Sequence, residues 1–152
     1  MAALWTMIVI TGRQIGDMSV RRSGALWRLT MREIEFRGKR KDNGKWMYGS
    51  PVYLDPEHIG MWTKNAQSYF WVTPQTVGQY TGLKDKNGAK IFEGDILEWG
   101  HYKRICQVSW LEDTARFLYI TVDRKLIYPG EASACEIIGN VHDNPEFLGA
   151  NV

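Results

Sequence analysis

The sequence predicts an all-β protein of short strands, of barrel or sandwich type. No window of its 152 residues sustains a helical period, and runs rich in β-branched and aromatic residues alternate throughout with Gly, Asn and Pro. Two Asn-Gly dipeptides, Asn43-Gly44 and Asn87-Gly88, stand between strand-like stretches, where a two-residue type I′ turn needs residues that tolerate positive φ. A hydrophobic content of 44%, with seven Trp and seven Tyr, is ample for the core of one domain and argues against disorder of the whole chain.

Residues 1–30 do not read as part of that domain, because Gly12, Gly16 and Gly24 break every apolar run. The apolar stretch at residues 4–10 has no basic residue ahead of it and is far too short for a bilayer core of about 30 Å. From Met31 the texture changes. Met31-Arg32-Glu33-Ile34-Glu35-Phe36-Arg37-Gly38 alternates charged and apolar residues at the period of a half-buried strand. The gene is therefore expected to start at Met31, with residues 1–30 a translated upstream region. Trp27-Arg28 can be encoded as TGGAGG, which contains a bacterial ribosome-binding sequence, shortly before Met31. A genuine flexible extension is the alternative.

The first hairpin turns at Lys41-Asp42-Asn43-Gly44 and continues through Lys45-Trp46-Met47-Tyr48-Gly49, with Ile34, Phe36, Trp46 and Tyr48 at inward or partner-facing positions. Residues 51–55 form a short strand stopped by Pro56, residues 58–62 are open between strand and loop, and residues 63–68 are a polar connection. Residues 69–72 are a strongly apolar strand ended by Pro74, and residues 76–82 lead into the second hairpin. Past Asn87-Gly88, Ile91-Phe92-Glu93-Gly94-Asp95-Ile96 carries turn chemistry in mid-run, so a bend or bulge falls at Gly94 and a new strand starts at Ile96. Residues 100–104 are a loop. In residues 105–110 Cys106, Val108 and Trp110 share the buried face. Glu112-Asp113 turns the chain into strands at residues 117–122, 125–128 and 136–141, and Asn144 caps a closing helical turn with Pro145 at its first position.

Charge and reactive groups exclude several functions. Residues 1–30 carry four arginines against Asp17, a balance of +3, which leaves residues 31–152 at −1; the sequence pI of 8.5 is thus no argument for nucleic acid. Cys106 and Cys135 fit no metal spacing and read as buried free thiols of a reducing cytoplasm. His58, His101 and His142 each stand without a second ligand at metal spacing, and no phosphate loop or nucleophile elbow occurs. Glu93 and Asp95 flank a glycine as a catalytic or metal-binding pair could, but Asp and Gly cluster at turns for backbone reasons. No enzyme, cofactor or metal is expected, and no transmembrane helix.

Three blocks, residues 31–49, 77–96 and 136–148, resemble the YopX family of bacteriophages and prophages. The second, with Thr76 just ahead of it, gives Thr-Val-Gly-Gln-Tyr-Thr-Gly-Leu and, from Glu93, Glu-Gly-Asp-Ile, and the third contains Ile-Ile-Gly-Asn-Val-His-Asp-Asn-Pro-Glu from Ile137. The resemblance implies a smaller β region at residues 31–73 followed by an SH3-type barrel at residues 74–152. It implies no catalytic residues. Its signature positions, Gly82, Leu83, Asp85, Gly88, Glu93, Gly94, Asp95, Gly139, Asn140, Asn144 and Pro145, are expected to be structural.

The expected function is a non-enzymatic cytoplasmic binding module, acting on nucleic acid or in phage DNA metabolism or regulation. Its contacts would come from the basic tip of the first hairpin, Arg37, Lys39, Arg40, Lys41 and Lys45, with Trp46 and Tyr48 as stacking platforms. The alternative is a protein-interaction or self-assembling module that binds a host or phage protein, or a second copy as a homo-oligomer. It would use sheet edges or the apolar Met61-Trp62 and Tyr69-Phe70-Trp71 region.

Overall fold

The computed structural model describes residues 32–63, 68–100, 103–127 and 134–149. The expectations for residues 1–31, His101 and Tyr128 lie outside these. The described chain is all-β, as the short Gly- and Pro-bounded runs predict. It consists of strands β1 (Phe36–Lys39), β2 (Trp46–Asp55), β3 (His58–Trp62), β4 (Tyr69–Val72), β5 (Gly78–Lys84), β6 (Lys90–Phe92), β7 (Asp95–Trp99), β8 (Arg104–Leu111), β9 (Arg116–Thr121), β10 (Leu126–Ile127) and β11 (Cys135–Asn140). Three 3-10 turns, Pro74–Thr76, Glu112–Thr114 and Pro145–Leu148, connect or close them.

All pairings are antiparallel and make two sheets, ordered β4-β3-β2-β1-β5-β6 and β10-β9-β8-β7-β11. The sheets part after β6 and not at residue 74, because β1 uses both of its edges, pairing β2 through Lys39↔Trp46 and β5 through Phe36↔Gln79. The first sheet also curls on itself. Arg40, just past β1, bridges Val72 of β4, with hydrogen bonds from Lys41 N–H to Trp71 O (2.9 Å) and from Thr73 N–H to Lys39 O (2.8 Å). Inside that curl Met47, Ile59, Met61 and Val72 form one core, with Phe36 and Val77 against it. Leu97, Cys106, Val108, Tyr119 and Cys135 of the second sheet form another together with Ile91 of β6. The SH3-type barrel implied for residues 74–152 does not appear as a closed ring among the described pairings. Among the described residues no helix is long and apolar enough to cross a membrane.

Several local expectations change. Both Asn-Gly loops reverse the chain with only the glycine at positive φ, Gly44 at 68° and Gly88 at 82°, so neither is a type I′ turn. The reason at the second loop is Asp85, whose carboxylate accepts the N–H groups of Asn87 (2.9 Å) and Ala89 (2.8 Å) and stabilises a three-residue loop closed by Asp85 N–H to Ala89 O. β2 runs unbroken through Gly49 and Pro51, where the sequence suggested two strands. A side chain at Gly49 would put Cβ 2.0 Å from the Trp62 carbonyl, so the glycine permits close strand approach. Residues 58–62 resolve as β3. Ile34, expected to face inward, is exposed, and so is Trp110, which leaves Cys106 and Val108 to fill the buried face of β8. Asn144 occupies the cap position before Pro145, but its side chain makes no capping bond and reaches Glu146 instead.

Candidate functional site

The signature residues converge on a buried polar pin between the two cores. Gly94, at φ 80°, makes the tight turn that sends Asp95 inward at the start of β7; its N–H reaches Val108 O and its carbonyl accepts Val141 N–H. The Asp95 carboxylate, 1% exposed, accepts Arg37 Nη2 (2.5 Å), Phe92 N–H (2.8 Å) and Asn140 Nδ2 (3.4 Å). Arg37 Nη2 also donates to the Glu93 carbonyl, and its guanidinium lies 4.5 Å from the Trp46 ring centroid and 4.9 Å from that of Phe92. Burial pushes the Asp95 carboxyl above the ordinary carboxylate range, against the opposing pull of Arg37.

The other signature positions hold this pin and the hairpin beside it. Asp85 also accepts Ile137 N–H and so ties the β5–β6 hairpin to β11. A Cβ at Gly139 would stand 2.7 Å from Asn144 Oδ1, so the glycine gives the Asn144 side chain its place against β11. Gly82 takes φ 90° where the β5–β6 register slips, Leu83 packs on the second core, and Pro145 opens the last 3-10 turn. With Asp95 committed to three donors, Glu93 and Asp95 are not a free pair for acid–base chemistry. Among the described residues no group of three or more His, Cys, Asp or Glu is placed to hold a metal ion.

The seven residues of the basic tip do not share one surface. Arg37 is buried in the pin. Lys39 pairs with Asp143, which also accepts the Trp46 indole N–H (2.8 Å), so Trp46 is half-buried under Arg37 and Lys39 with His142 beside it. The Lys39 ammonium holds the Asp143 carboxyl below its usual range, while partial burial and the charges of Lys39 and Arg37 lower His142. Tyr48 is exposed and leans on Phe92. Lys41 and Lys45 are exposed, and Arg40 is half-buried. Arg40 chelates Asp42 and lies 4.1 Å over the Phe70 ring, and Lys41 Nζ donates to Glu57 O (3.1 Å).

Beside Arg40 and Lys41 the fold builds a surface that the basic-tip reading missed. Trp62 pairs with Tyr69 and Gly60 with Trp71 across β3 and β4, which puts Trp62, Tyr69 and Trp71 on the outer face. The Tyr69 ring occupies the space a side chain at Gly60 would fill, with Cδ2 2.4 Å from the ideal Cβ. Tyr69 and Trp71 meet edge to face at 5.1 Å, and His58 meets Trp71 at 5.6 Å, held by its Nδ1 contact of 2.9 Å with Asp55. Trp62 is 42%, Tyr69 36% and Trp71 39% exposed, whereas Met61, on the inner face, is fully buried. Phe70 also points inward but reaches solvent at the sheet end, where Arg40 covers it. Lys41, Asp42, His58 and the three rings of β4 line a cleft of about 520 Å3. The signal for this surface in the sequence was the apolar Met61-Trp62 and Tyr69-Phe70-Trp71 region, with Gly60 two residues before Trp62. Only strand pairing shows that it clears room for a ring row.

Comparison with known proteins agrees with this architecture. The family model described as YopX protein matches residues 35–149, most of the chain. Protein EF1440 from Enterococcus faecalis, known from a crystal structure, is 23% identical and superposes with a TM-score of 0.53 over 78% of this chain and 99% of its own, a likeness of fold alone. No curated protein matches.

Proposed function

The chain belongs to the YopX family, and from that membership together with the ring row on β3 and β4 we propose a non-enzymatic module that binds single-stranded nucleic acid. The setting is the cytoplasm of a phage-carrying host. The observation that carries the reading is the solvent-facing row His58, Trp71, Tyr69 and Trp62, with Lys41 on the same cleft and Arg40 over the neighbouring Phe70. Exposed aromatic faces on a sheet accept unstacked bases, and nearby cations track the phosphates. Duplex is disfavoured as ligand, because its bases are stacked on one another and the surface lacks the dense positive charge that phosphate-led binding uses.

The local charge makes this quantitative. Arg40, Lys41 and Lys45 stand against Asp42, Asp55 and Glu57, so at most three phosphates are neutralised and log K falls with log salt with a slope of about −2. Fluorescence anisotropy with labelled oligothymidylate, oligouridylate and a duplex control measures both slope and preference. Trp71→Ala is expected to weaken single-strand binding by about 1–3 kcal/mol, with the far-UV spectrum unchanged because the ring is on the surface. Undetectable binding, or binding indifferent to Trp71→Ala and Tyr69→Ala, defeats the proposal. The near-neutral charge of the same face favours a second reading, self-association, which light scattering at rising concentration tests.

A further inference from the structure

The second sheet carries a separate groove of about 600 Å3 where the β8–β9 ladder meets β5. Its apolar wall is Trp110 packed edge-on to Phe117 at 5.0 Å, with the exposed Leu126 opposite. Its charged groups are Arg32, whose guanidinium lies 5.8 Å over the Phe117 ring, and Arg116. Neither arginine has an ion pair among the described residues, and no acidic side chain is among the groove's described lining; Glu112 and Asp113 sit on the adjoining 3-10 turn. At the floor Tyr119 is 1% exposed, with its hydroxyl buried on the side of Thr81. Thr81 is itself committed, donating to Ile91 O (2.9 Å) and accepting Leu83 N–H (3.1 Å).

An apolar cleft flanked by two guanidinium groups that have no ion pair among the described residues favours a ligand that brings carboxylates along with an apolar anchor. We propose that this groove seats a short segment of a partner protein in which an apolar side chain is flanked by Asp or Glu. The charge pattern argues against nucleic acid here. Two cations neutralise few phosphates, and a single ring pair is a shorter stacking platform than the row on β3 and β4. The inference is independent of the ring row on β3 and β4.

The test is a hexapeptide array in which Leu, Phe or Trp is flanked by Asp or Glu, with matched Ser and Lys versions, probed with the full chain and followed by fluorescence polarisation of the best acidic peptide. Acidic peptides are expected to bind at least about tenfold more tightly than their Lys counterparts. Arg116→Glu and Trp110→Ala, both at exposed positions, are each expected to cost about tenfold or more, while Trp71→Ala leaves binding unchanged. Retention of no acidic peptide, equal retention of the Lys versions, or indifference to Arg116→Glu would overturn the proposal. So would a dimer dispersed by Trp110→Ala, because the groove would then belong to a second copy, or an oligonucleotide that displaces the peptide and is itself lost on Arg116→Glu.

Discussion

Replacing Arg37 with methionine probes the pin between the two cores. Methionine keeps much of the apolar stem between Trp46 and Phe92 but removes the cation 2.5 Å from Asp95. Asp95, buried at 1% exposure, is left with Phe92 N–H and Asn140 Nδ2 as donors. Breaking a buried pair from one side costs about 3–5 kcal/mol, which for a domain of this size lowers Tm by roughly 10–20 °C. Urea and thermal unfolding followed by circular dichroism and tryptophan fluorescence measure it. Adding Asp95→Asn removes the stranded charge and keeps an acceptor for Phe92 N–H, so the double variant is expected to regain more than half of the loss. The pH dependence has a definite sign. Without Arg37 the folded-state pKa of Asp95 rises further above its unfolded value, so the deficit is largest at neutral pH and narrows as the medium is acidified and the carboxyl takes up a proton. A loss below about 1 kcal/mol, or a double variant no more stable than the single one, would refute the reasoning.

Asp85→Ala removes the acceptor for Asn87, Ala89 and Ile137 N–H groups and is expected to cost about 2–3 kcal/mol, with Asp85→Asn milder; urea titration of the three proteins checks the order. His142 is held below its ordinary pKa by partial burial first and by Lys39 and Arg37 next. Its folded-state value lies under the unfolded one, so its contribution to stability is present above about pH 6.5 and declines as pH falls through the folded-state pKa. An NMR titration of the His142 ring, expected to move upward in Lys39→Ala, and a weaker acid dependence of stability in His142→Asn measure this.

The all-β class, the two reversals, the bend at Gly94 and the strand positions were legible because each rests on local chemistry: side-chain alternation, glycine at positive φ, and proline at a strand end. The turn type was not. It depends on whether Asp85 reaches two amides across the loop, a competition that the Asn-Gly pair does not disclose. The basic tip failed as one surface for a related reason. Alternation in β1 puts Arg37 and Lys39 on the same face, and what separates them is the groups that meet them, Asp95 and Asp143, 58 and 104 residues further along the chain. The apolar run at β4 showed a strand but not its outer face.

What the amino-acid order determined by itself was where strands form and where the chain must turn, since these follow from backbone conformations available to each residue and its near neighbours. Tertiary structure decided which polar groups are consumed inside and which rings stay in water. Burial and charge pairing are properties of neighbours in space: the pairing of β4 with β3 sets Trp71 beside His58, and the curl of β4 back onto β1 sets Phe70 beneath Arg40.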